Sequence, residues 1–199
     1  VGVPVLVERS SYESNPLGRM EWLKLYGALV GNEARACEIY DALIASLAPV
    51  LEQASTGKTV AFFYINTSGA VSVRKSGDYI AKAIRMAGGE YVSFDESGEE
   101  NALSTMTIQM EAFYSGAMDA DILIYNSTFD GEISSIDELL AKSPLLADFK
   151  AVKNGNVWCA PRDFYQQSLA LGDMILDVHV VLTDEKTPDA ELRFLRRLS

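Results

Sequence analysis

The chain has 199 residues, of which 48% are apolar and 23% are charged, a composition typical of a globular protein that buries a sizeable core. Its net charge of −11 excludes the basic surface that nucleic-acid binding needs, and suits a partner with arginine-lined pockets. No apolar run approaches the roughly 20 residues of a membrane span.

The chain begins with Val1 to Val7, a short apolar run without an initiator Met, which looks like a strand from the middle of a longer protein. Residues 9–18 are polar and contain turn residues, as in a linker. We therefore expect a further domain before this chain, and the lack of a signal peptide says nothing about the compartment.

Apolar residues recur at helical spacing from Gly18 to about Ser55. They are Trp22, Tyr26, Leu29, Ala36, Tyr40, Leu43, Leu47 and Leu51. Gly31 and Asn32 interrupt the pattern, and Asn32 is a suitable N-cap, so we predict two helical segments that are nearly collinear. About 35 helical residues would span roughly 50 Å, a length that connects domains.

The rest of the chain alternates apolar strands with helices. The predicted strands are 59–65, 91–94, 122–125 and 157–160, and the predicted helices are 78–86, 105–118, 136–141, 144–149, 164–182 and 188–198, with an acidic loop at 95–103. This alternation predicts an α/β fold, a three-layer αβα sandwich with a mainly parallel sheet. Ligands bind at the carboxyl ends of such strands, which here lead into the loops 66–77, 126–134 and 161–165.

Several side chains near these strand ends are candidates for ligand binding. Arg74, Lys75 and Ser76 precede a helix N-terminus, which favours an anion; an ordinary solvated loop is the alternative. Arg162 follows a strand and could bind a carboxylate in bidentate fashion, or pair with Asp163. Aromatic residues at strand ends could pack against a chelate or belong to the core; they are Tyr64, Tyr125, Trp158, Phe164 and Tyr165.

The remaining reactive residues favour binding over catalysis. Cys37 and Cys159 are interpreted as two buried free thiols, although their spacing leaves a disulfide open. The single histidine, His179, lies in a helical pattern away from the loops and cannot build a histidine-rich metal site. Phosphate loops and nucleophile elbows are absent from the sequence, so we predict no catalytic residues, no protein metal ligands and no cofactor.

Four stretches, in this order, resemble periplasmic-binding-protein-like receptors of ABC transporters, in the branch that captures iron-siderophores, haem and cobalamin. They are Ser14 to Gly31, Ser76 to Gly89 with its terminal Ala-Gly-Gly, Met110 to Ile124, and Phe149 to Trp158. The resemblance covers nearly the whole chain. It implies that residues 1–18 are the end of a first lobe and a linker, 19–55 an interlobe spine helix, and 56–199 the C-terminal α/β lobe.

The resemblance implies a non-enzymatic protein outside the cytoplasm, periplasmic or anchored on the cell surface as a lipoprotein. It would hold an iron-siderophore, haem or cobalamin-type chelate between two lobes and deliver it to a membrane permease. Residue by residue, we expect ligand contacts from Tyr64, Arg74, Tyr79, Tyr125, Trp158, Arg162 and Tyr165. Glu111 matches the family position that docks into arginine pockets of the permease, and a solvated helical glutamate is the alternative.

Two other classes of function compete with this interpretation. A chelatase acting on a tetrapyrrole shares the architecture, but it needs a histidine or paired carboxylates in the cleft, where the sequence offers Arg162 and Asp163. A stand-alone interaction module without a ligand is the third class. With a first lobe missing, the strand 3–7 and the apolar residues around Trp22, Leu25 and Tyr26 would be uncovered, so we expect the chain to self-associate.

Overall fold

The computed structural model describes residues 2–95, 105–129, 131–183 and 192–199. Its helices are α1 (Pro16–Leu29), α2 (Glu33–Leu51), α3 (Tyr79–Met86), α4 (Met110–Ala117), α5 (Ile136–Lys142), α6 (Lys150–Lys153) and α7 (Leu171–Thr183). Its strands are β1 (Thr59–Ile65), β2 (Val71–Arg74), β3 (Glu90–Tyr91), β4 (Thr105–Ile108), β5 (Ile122–Asn126), β6 (Val157–Ala160) and β7 (Arg196–Arg197). Short 3₁₀ segments occupy Ser10–Tyr12, Pro144–Asp148, Phe164–Gln166 and Ser168–Ala170. Most of the predicted acidic loop (96–103) and the start of the predicted last helix (188–191) lie outside the described residues.

The strands form one sheet in the order β4-β2-β1-β5-β6-β7, with β3 beside the first half of β1. The central pairs β3–β1, β1–β5 and β5–β6 are parallel. The pairs β1–β2, β2–β4 and β6–β7 are antiparallel. The predicted α/β fold with parallel strands at its centre is therefore confirmed, and antiparallel strands extend it at both edges.

Helices cover both faces of the sheet, which confirms the three-layer sandwich. Side chains alternate along β1, so Val60 and Phe62 face the layer of α1, α2, α3 and α7, whereas Ala61 and Phe63 face the layer of α4, α5 and α6. Burial on both faces explains why β1 is almost continuously apolar and buried, as its sequence predicts.

The first two helices form an antiparallel hairpin, so the prediction of two collinear segments is wrong. Gly27 of α1 lies so close to Ala36 of α2 that an added Cβ would stand 2.4 Å from the Ala36 Cβ. Further from the turn, the Lys24 ammonium lies 4.0 Å from the centre of the Tyr40 ring. Gly31 reverses the chain with a φ of 71°, a conformation that glycine adopts without strain. Of the two helices, the 19-residue α2 is the longer, and neither reaches 50 Å.

Several predicted boundaries also need correction. Residues 71–74 lie in the predicted loop 66–77 but form β2, and residues 105–108 form β4, so α4 begins only at Met110. The predicted helix from 164 starts as two 3₁₀ turns, and α7 begins at Leu171. Residues 196–197 are a strand because they pair with β6. The turn at 154–156 connects α6 to β6, which pairs in parallel with β5.

The N-terminal residues 2–9 adopt no regular secondary structure. The predicted strand 3–7 is not formed, because no strand among the described residues pairs with it. Its side chains from Val3 to Val7 are largely solvent-exposed. Tyr26, Leu29 and Val30 of the hairpin are exposed as well. The self-association of the chain through these surfaces stays a prediction. Among the described helices, none combines the length and the apolar character that crossing a bilayer requires.

Candidate ligand-binding face

Three aromatic side chains meet where the parallel strands β1, β5 and β6 end. Tyr64 is the penultimate residue of β1, Phe129 follows β5, and Tyr165 follows β6. The ring centres of Tyr64 and Phe129 are 4.7 Å apart, and those of Phe129 and Tyr165 are 5.9 Å apart. Phe129 is 60% exposed, and the two tyrosines are partly exposed. We call these three residues the aromatic shelf; the sequence predicts Tyr64 and Tyr165 as candidates.

Asn126 holds the shelf in place. Its side-chain amide donates a hydrogen bond to the Tyr165 hydroxyl at 3.1 Å, and its carbonyl accepts bonds from the backbone N–H and the hydroxyl of Thr128. Asn126 is 2% exposed, so this geometry is fixed from inside the protein. Neither Asn126 nor Phe129 is among the predicted site residues, because the sequence pattern assigns both to the loop 126–134, where a single residue carries no periodic signal; Asn126 is in fact the last residue of β5.

Arg74, which the sequence predicts to bind an anionic ligand, is instead buried in an ion pair within the protein. It ends β2 with only 7% of its surface exposed, and its guanidinium lies 3.4 Å from a carboxylate oxygen of the fully buried Asp78. Burial raises the pKa of Asp78, and the charge of Arg74 opposes that shift. Asp78 also caps α3 by accepting the backbone N–H of Ile80. The ion pair therefore joins β2 to α3.

Tyr79 is a buried contact of α1, which corrects its prediction as a ligand residue. It is 3% exposed, and the guanidinium carbon of Arg19 lies 3.7 Å from its ring centre. Arg19 also donates hydrogen bonds to the backbone carbonyls of Glu13 and Ser11. Burial raises the pKa of Tyr79 to about 12, so its phenol stays neutral at physiological pH.

Tyr125 and Trp158 lie inside the sandwich and do not reach the carboxyl-end surface. Tyr125 is fully buried against the edge of Phe63, in the layer of α4, α5 and α6. Trp158 is 1% exposed and belongs to the opposite core, towards the amino end of β6. The prediction that Trp158 lies near a ligand cleft is therefore wrong. Both residues stand within strands, where neighbouring layers cover every side chain.

Arg162 is an exposed cation on a loop that follows the carboxyl end of β6. It lies on the turn between β6 and the 3₁₀ segment that carries Tyr165, and its backbone N–H donates to Glu132 at 3.2 Å. Among the described residues, no side chain forms an ion pair with its guanidinium, and the alternative ion pair with Asp163 is not formed. Arg162 is thus available to a ligand.

Glu111 lies in the first turn of α4 and is exposed. Because α4 leads into the parallel strand β5, it runs antiparallel to that strand, and its first turn lies towards the carboxyl end of the sheet. Glu111 is therefore on the same side of the molecule as the aromatic shelf, but on the opposite helical layer from α3 and α7.

The remaining reactive side chains are structural. His179 contacts the Ala87 carbonyl through Nδ1 at 3.0 Å, which ties α7 to the end of α3. Both cysteines are free thiols, as predicted, and Cys159 is buried; the predicted burial of Cys37 is wrong, because this residue is partly exposed on α2. In the part of the chain that the structure describes, no three histidine, cysteine or acidic residues are grouped as metal ligands would be.

A groove of about 1170 Å³ lies between the helical hairpin, residues 166–170 and α7. Its walls include Arg19, Trp22 and Tyr26 from α1, Leu43 from α2 and Leu176 from α7. The aromatic shelf does not contribute to it. We place the candidate site at the shelf because its rings lie at the carboxyl ends of the parallel strands, Phe129 is exposed, and the exposed Arg162 lies on the adjoining turn.

Comparison with known proteins agrees with the predicted family. A family model described as periplasmic binding protein matches residues 2–163. Two uncharacterized lipoproteins of Methanocaldococcus jannaschii are 30% identical over 189 residues and 26% identical over 171 residues, which is 93% and 83% of this chain. The chain spans only 44% and 42% of the lengths of these two relatives.

Solved structures with the same fold are ABC-type and periplasmic binding proteins. The TroA-like periplasmic binding protein FepB of Veillonella parvula has a TM-score of 0.64 at 16% identity, over 92% of this chain and 62% of that one. An Fe³⁺-hydroxamate transport protein of Saccharomonospora viridis has a TM-score of 0.66 at 18% identity, over 85% and 56%. The haem-binding protein HutB of Vibrio cholerae has 0.64 at 17%, over 81% and 63%. At these identities, the likeness concerns the fold alone.

Proposed function

The chain belongs to the periplasmic binding protein family, and from this premise we propose that it forms the linker, helical hairpin and second lobe of an extracytoplasmic solute-binding protein. That protein would capture a ligand between two lobes and deliver it to the permease of an ABC importer. The observation that carries the proposal is the aromatic shelf at the carboxyl ends of β1, β5 and β6, with the exposed Arg162 three residues before Tyr165 in the chain. Ligands of open α/β sheets bind at this end of the strands.

The chemistry of the face favours a large chelate with apolar surface and negative charge. Exposed aromatic rings such as Phe129 bury flat or aliphatic surface, and a guanidinium such as that of Arg162 binds carboxylate or other oxyanionic groups. We therefore propose an iron-siderophore, haem or similar metal chelate as the ligand. The printed names of the Saccharomonospora and Vibrio proteins, for Fe³⁺-hydroxamate transport and haem binding, support this class.

The location and partners of the intact protein are part of the same proposal. The lipoproteins among the relatives favour an anchor at the outer face of the cytoplasmic membrane. Since the chain spans less than half of these relatives, a first lobe would supply the other wall of the cleft. The exposed residues Val3 to Val7 would then complete a strand of that lobe. No observation favours the chelatase or the ligand-free module, so neither is proposed.

A binding experiment tests this function. Calorimetric titration of the intact two-lobe receptor with a ferric hydroxamate, with haemin and with cyanocobalamin should yield saturable one-to-one binding for one of them. Phe129→Ala should weaken that binding by about tenfold or more, because it removes the most exposed ring of the shelf. Trp158 is a poor reporter because it is buried, so Phe129→Trp would provide a fluorescent probe at the face itself.

The matched control is Leu145→Ala. Leu145 is an exposed apolar residue of the segment Pro144–Asp148, which packs in the layer of α4, α5 and α6. This variant should leave ligand affinity unchanged. If all three chelates fail to bind, or if Phe129→Ala and Leu145→Ala behave alike, the shelf is not the ligand face and the proposed function loses its supporting observation.

A further inference from the structure

The hydrogen bonds around Asn126 determine how the Tyr165 hydroxyl uses its proton. The side-chain oxygen of Asn126 accepts the backbone N–H of Thr128 at 3.3 Å and the Thr128 hydroxyl at 2.8 Å. A backbone N–H is a donor only, so the Asn126 amide cannot be turned to place its own N–H groups there. The Asn126 nitrogen therefore faces Tyr165, at 3.1 Å from the phenol oxygen.

It follows that the Tyr165 oxygen accepts this hydrogen bond and does not donate it. An amide nitrogen is a donor only, so the phenol proton must be directed to some other acceptor. Among the residues that the structure describes, no group accepts it. Asn126 is 2% exposed, so burial keeps the amide in this orientation. The described part of the chain thus leaves one phenol O–H group of the shelf without an acceptor.

Neighbouring side chains hold the Tyr165 ring as well. Its centre lies 5.1 Å from the guanidinium carbon of Arg74 and 5.1 Å from the centre of the Phe164 ring. Arg74 is fixed by its ion pair with Asp78, and Phe164 is 2% exposed. The phenol is therefore preorganised, and little conformational freedom is lost when a ligand accepts its hydrogen bond.

We propose that Tyr165 is a specificity-determining residue that donates a hydrogen bond to an oxygen atom of the ligand, and that Asn126 is the positioning residue that directs its proton. When a ligand covers the shelf and excludes water, it must itself supply the acceptor, because a covered donor without one costs free energy. The site therefore selects chelates that present an oxygen acceptor, such as a carboxylate or a hydroxamate, and rejects purely apolar surfaces. This inference rests on the proposed function.

Calorimetric titration of the intact two-lobe receptor with a ferric hydroxamate, haemin and cyanocobalamin tests the donor. Tyr165→Phe keeps the ring and removes only the hydroxyl, so it should weaken binding of the captured chelate by about tenfold or more. The matched control is Tyr114→Phe, which removes a hydroxyl that bonds to Asp148 in the layer of α4, α5 and α6 and should leave affinity unchanged. Equal affinities of the two variants overturn the donor role. A visible absorption band of the bound ferric chelate that Tyr165→Phe abolishes also overturns it, because the phenolate would then coordinate the metal.

Asn126→Asp tests the direction of the proton. A carboxylate accepts at both oxygens, so it should accept the Tyr165 proton as well as the Thr128 bonds and withdraw the donor from the ligand. Binding should weaken by about tenfold or more in the wild-type background and change little further in Tyr165→Phe. Equal losses in both backgrounds overturn the positioning role of Asn126, and the comparison of Tyr165→Phe with Tyr114→Phe stands even if Asn126→Asp fails to fold.

Phe129→Ala separates this inference from the proposed function, because it removes a ring of the shelf and leaves the Tyr165 hydroxyl in place. If Phe129→Ala weakens chelate binding and Tyr165→Phe does not, the shelf binds the ligand and only the donor role is overturned. If the intact receptor binds none of the three chelates, both the donor role and the proposed function are overturned.

Discussion

The two ends of the parallel sheet combine aromatic rings with arginine in opposite ways. At the carboxyl end the rings of Tyr64, Phe129 and Tyr165 form an open shelf, and Arg162 extends into solvent. At the amino end the single ring of Trp158 is buried beneath Arg197, and the space beside it is small. The open end therefore suits a large ligand shared with a second lobe, whereas the closed end is part of the packed core.

A similar contrast separates two arginines near the carboxyl end. Arg74 and Arg162 both stand near predicted strand ends, and the sequence presents both as ligand cations. The structure buries Arg74 against Asp78 and leaves Arg162 exposed. Availability therefore depends on whether a carboxylate from a neighbouring element reaches the guanidinium, and substitutions can separate the two roles.

The largest expected effect is on stability and comes from Arg74→Met. It leaves the carboxylate of Asp78, which is 0% exposed, without its charged partner, and the free energy of unfolding should fall by about 3 to 5 kcal/mol. Urea denaturation followed by circular dichroism measures this. The control is Arg35→Met, because Arg35 pairs with Glu38 on the surface and should contribute less than about 1 kcal/mol. If Arg74→Met lowers the free energy of unfolding no more than Arg35→Met does, the ion pair does not stabilise the fold, and Arg74 is again a candidate for ligand binding.

The next effect is on binding and comes from Arg162→Ala. The lost charge-assisted hydrogen bond to an anionic ligand should weaken binding of the chelate to the intact receptor by roughly 1.5 to 3 kcal/mol. Stability should barely change, since the side chain is exposed and has no partner among the described residues. Calorimetric titration measures the first quantity and denaturation the second. If Arg162→Ala binds the chelate as tightly as the wild type, Arg162 does not contact the ligand, and only the aromatic residues of the shelf remain as candidates.

The sequence predicts the centre of this molecule better than its edges. The long apolar run of β1 and the alternation with helices suffice for the α/β sandwich, because burial on both faces leaves a strong pattern. Short edge strands do not: Thr105–Ile108 alternates over only four residues and merges with the helical pattern of α4. The hairpin of α1 and α2 was missed because helical periodicity records the buried face of each helix and not the direction of the chain after Gly31.

The candidate site could be predicted only in part, for related reasons. Tyr64, Tyr165 and Arg162 were found because they stand at the ends of strands or just beyond them. Tyr125 and Trp158 were included wrongly, since a continuously apolar strand does not reveal which of its residues the layers cover. Phe129 was missed because one aromatic residue in a polar loop carries no periodic signal, and its exposure depends on the turn that Asn126 fixes.

At the amino end, a smaller effect of about 1 kcal/mol should follow from Asp121→Asn. Burial raises the pKa of Asp121, but the hydrogen bonds from Lys150 and Thr59 outweigh this and bring it below its ordinary value of 3.8. The stabilisation is therefore present above pH 3.8 and is lost as the pH falls through the lower, folded-state pKa.

Denaturation from pH 7 down to about pH 2 measures this effect, and the stability difference between wild type and Asp121→Asn should disappear at the acid end. A stability difference that grows as the pH falls would contradict this account of the amino end.

The smallest expected effect on stability and ligand affinity comes from Glu111→Ala, which tests whether the carboxyl-end side of the lobe also meets the permease. Glu111 is exposed in the first turn of α4, so its removal should cost no more than about 0.5 kcal/mol through the helix dipole. Ligand affinity should stay unchanged because the residue lies on a helical flank and not on the shelf. Uptake by the reconstituted importer should nevertheless fall, since an arginine pocket on the permease would lose its carboxylate. Glu33→Ala, another exposed glutamate in a first helical turn, provides the control and should transport normally. Equal transport by both variants would limit the function of this end of the sheet to the ligand.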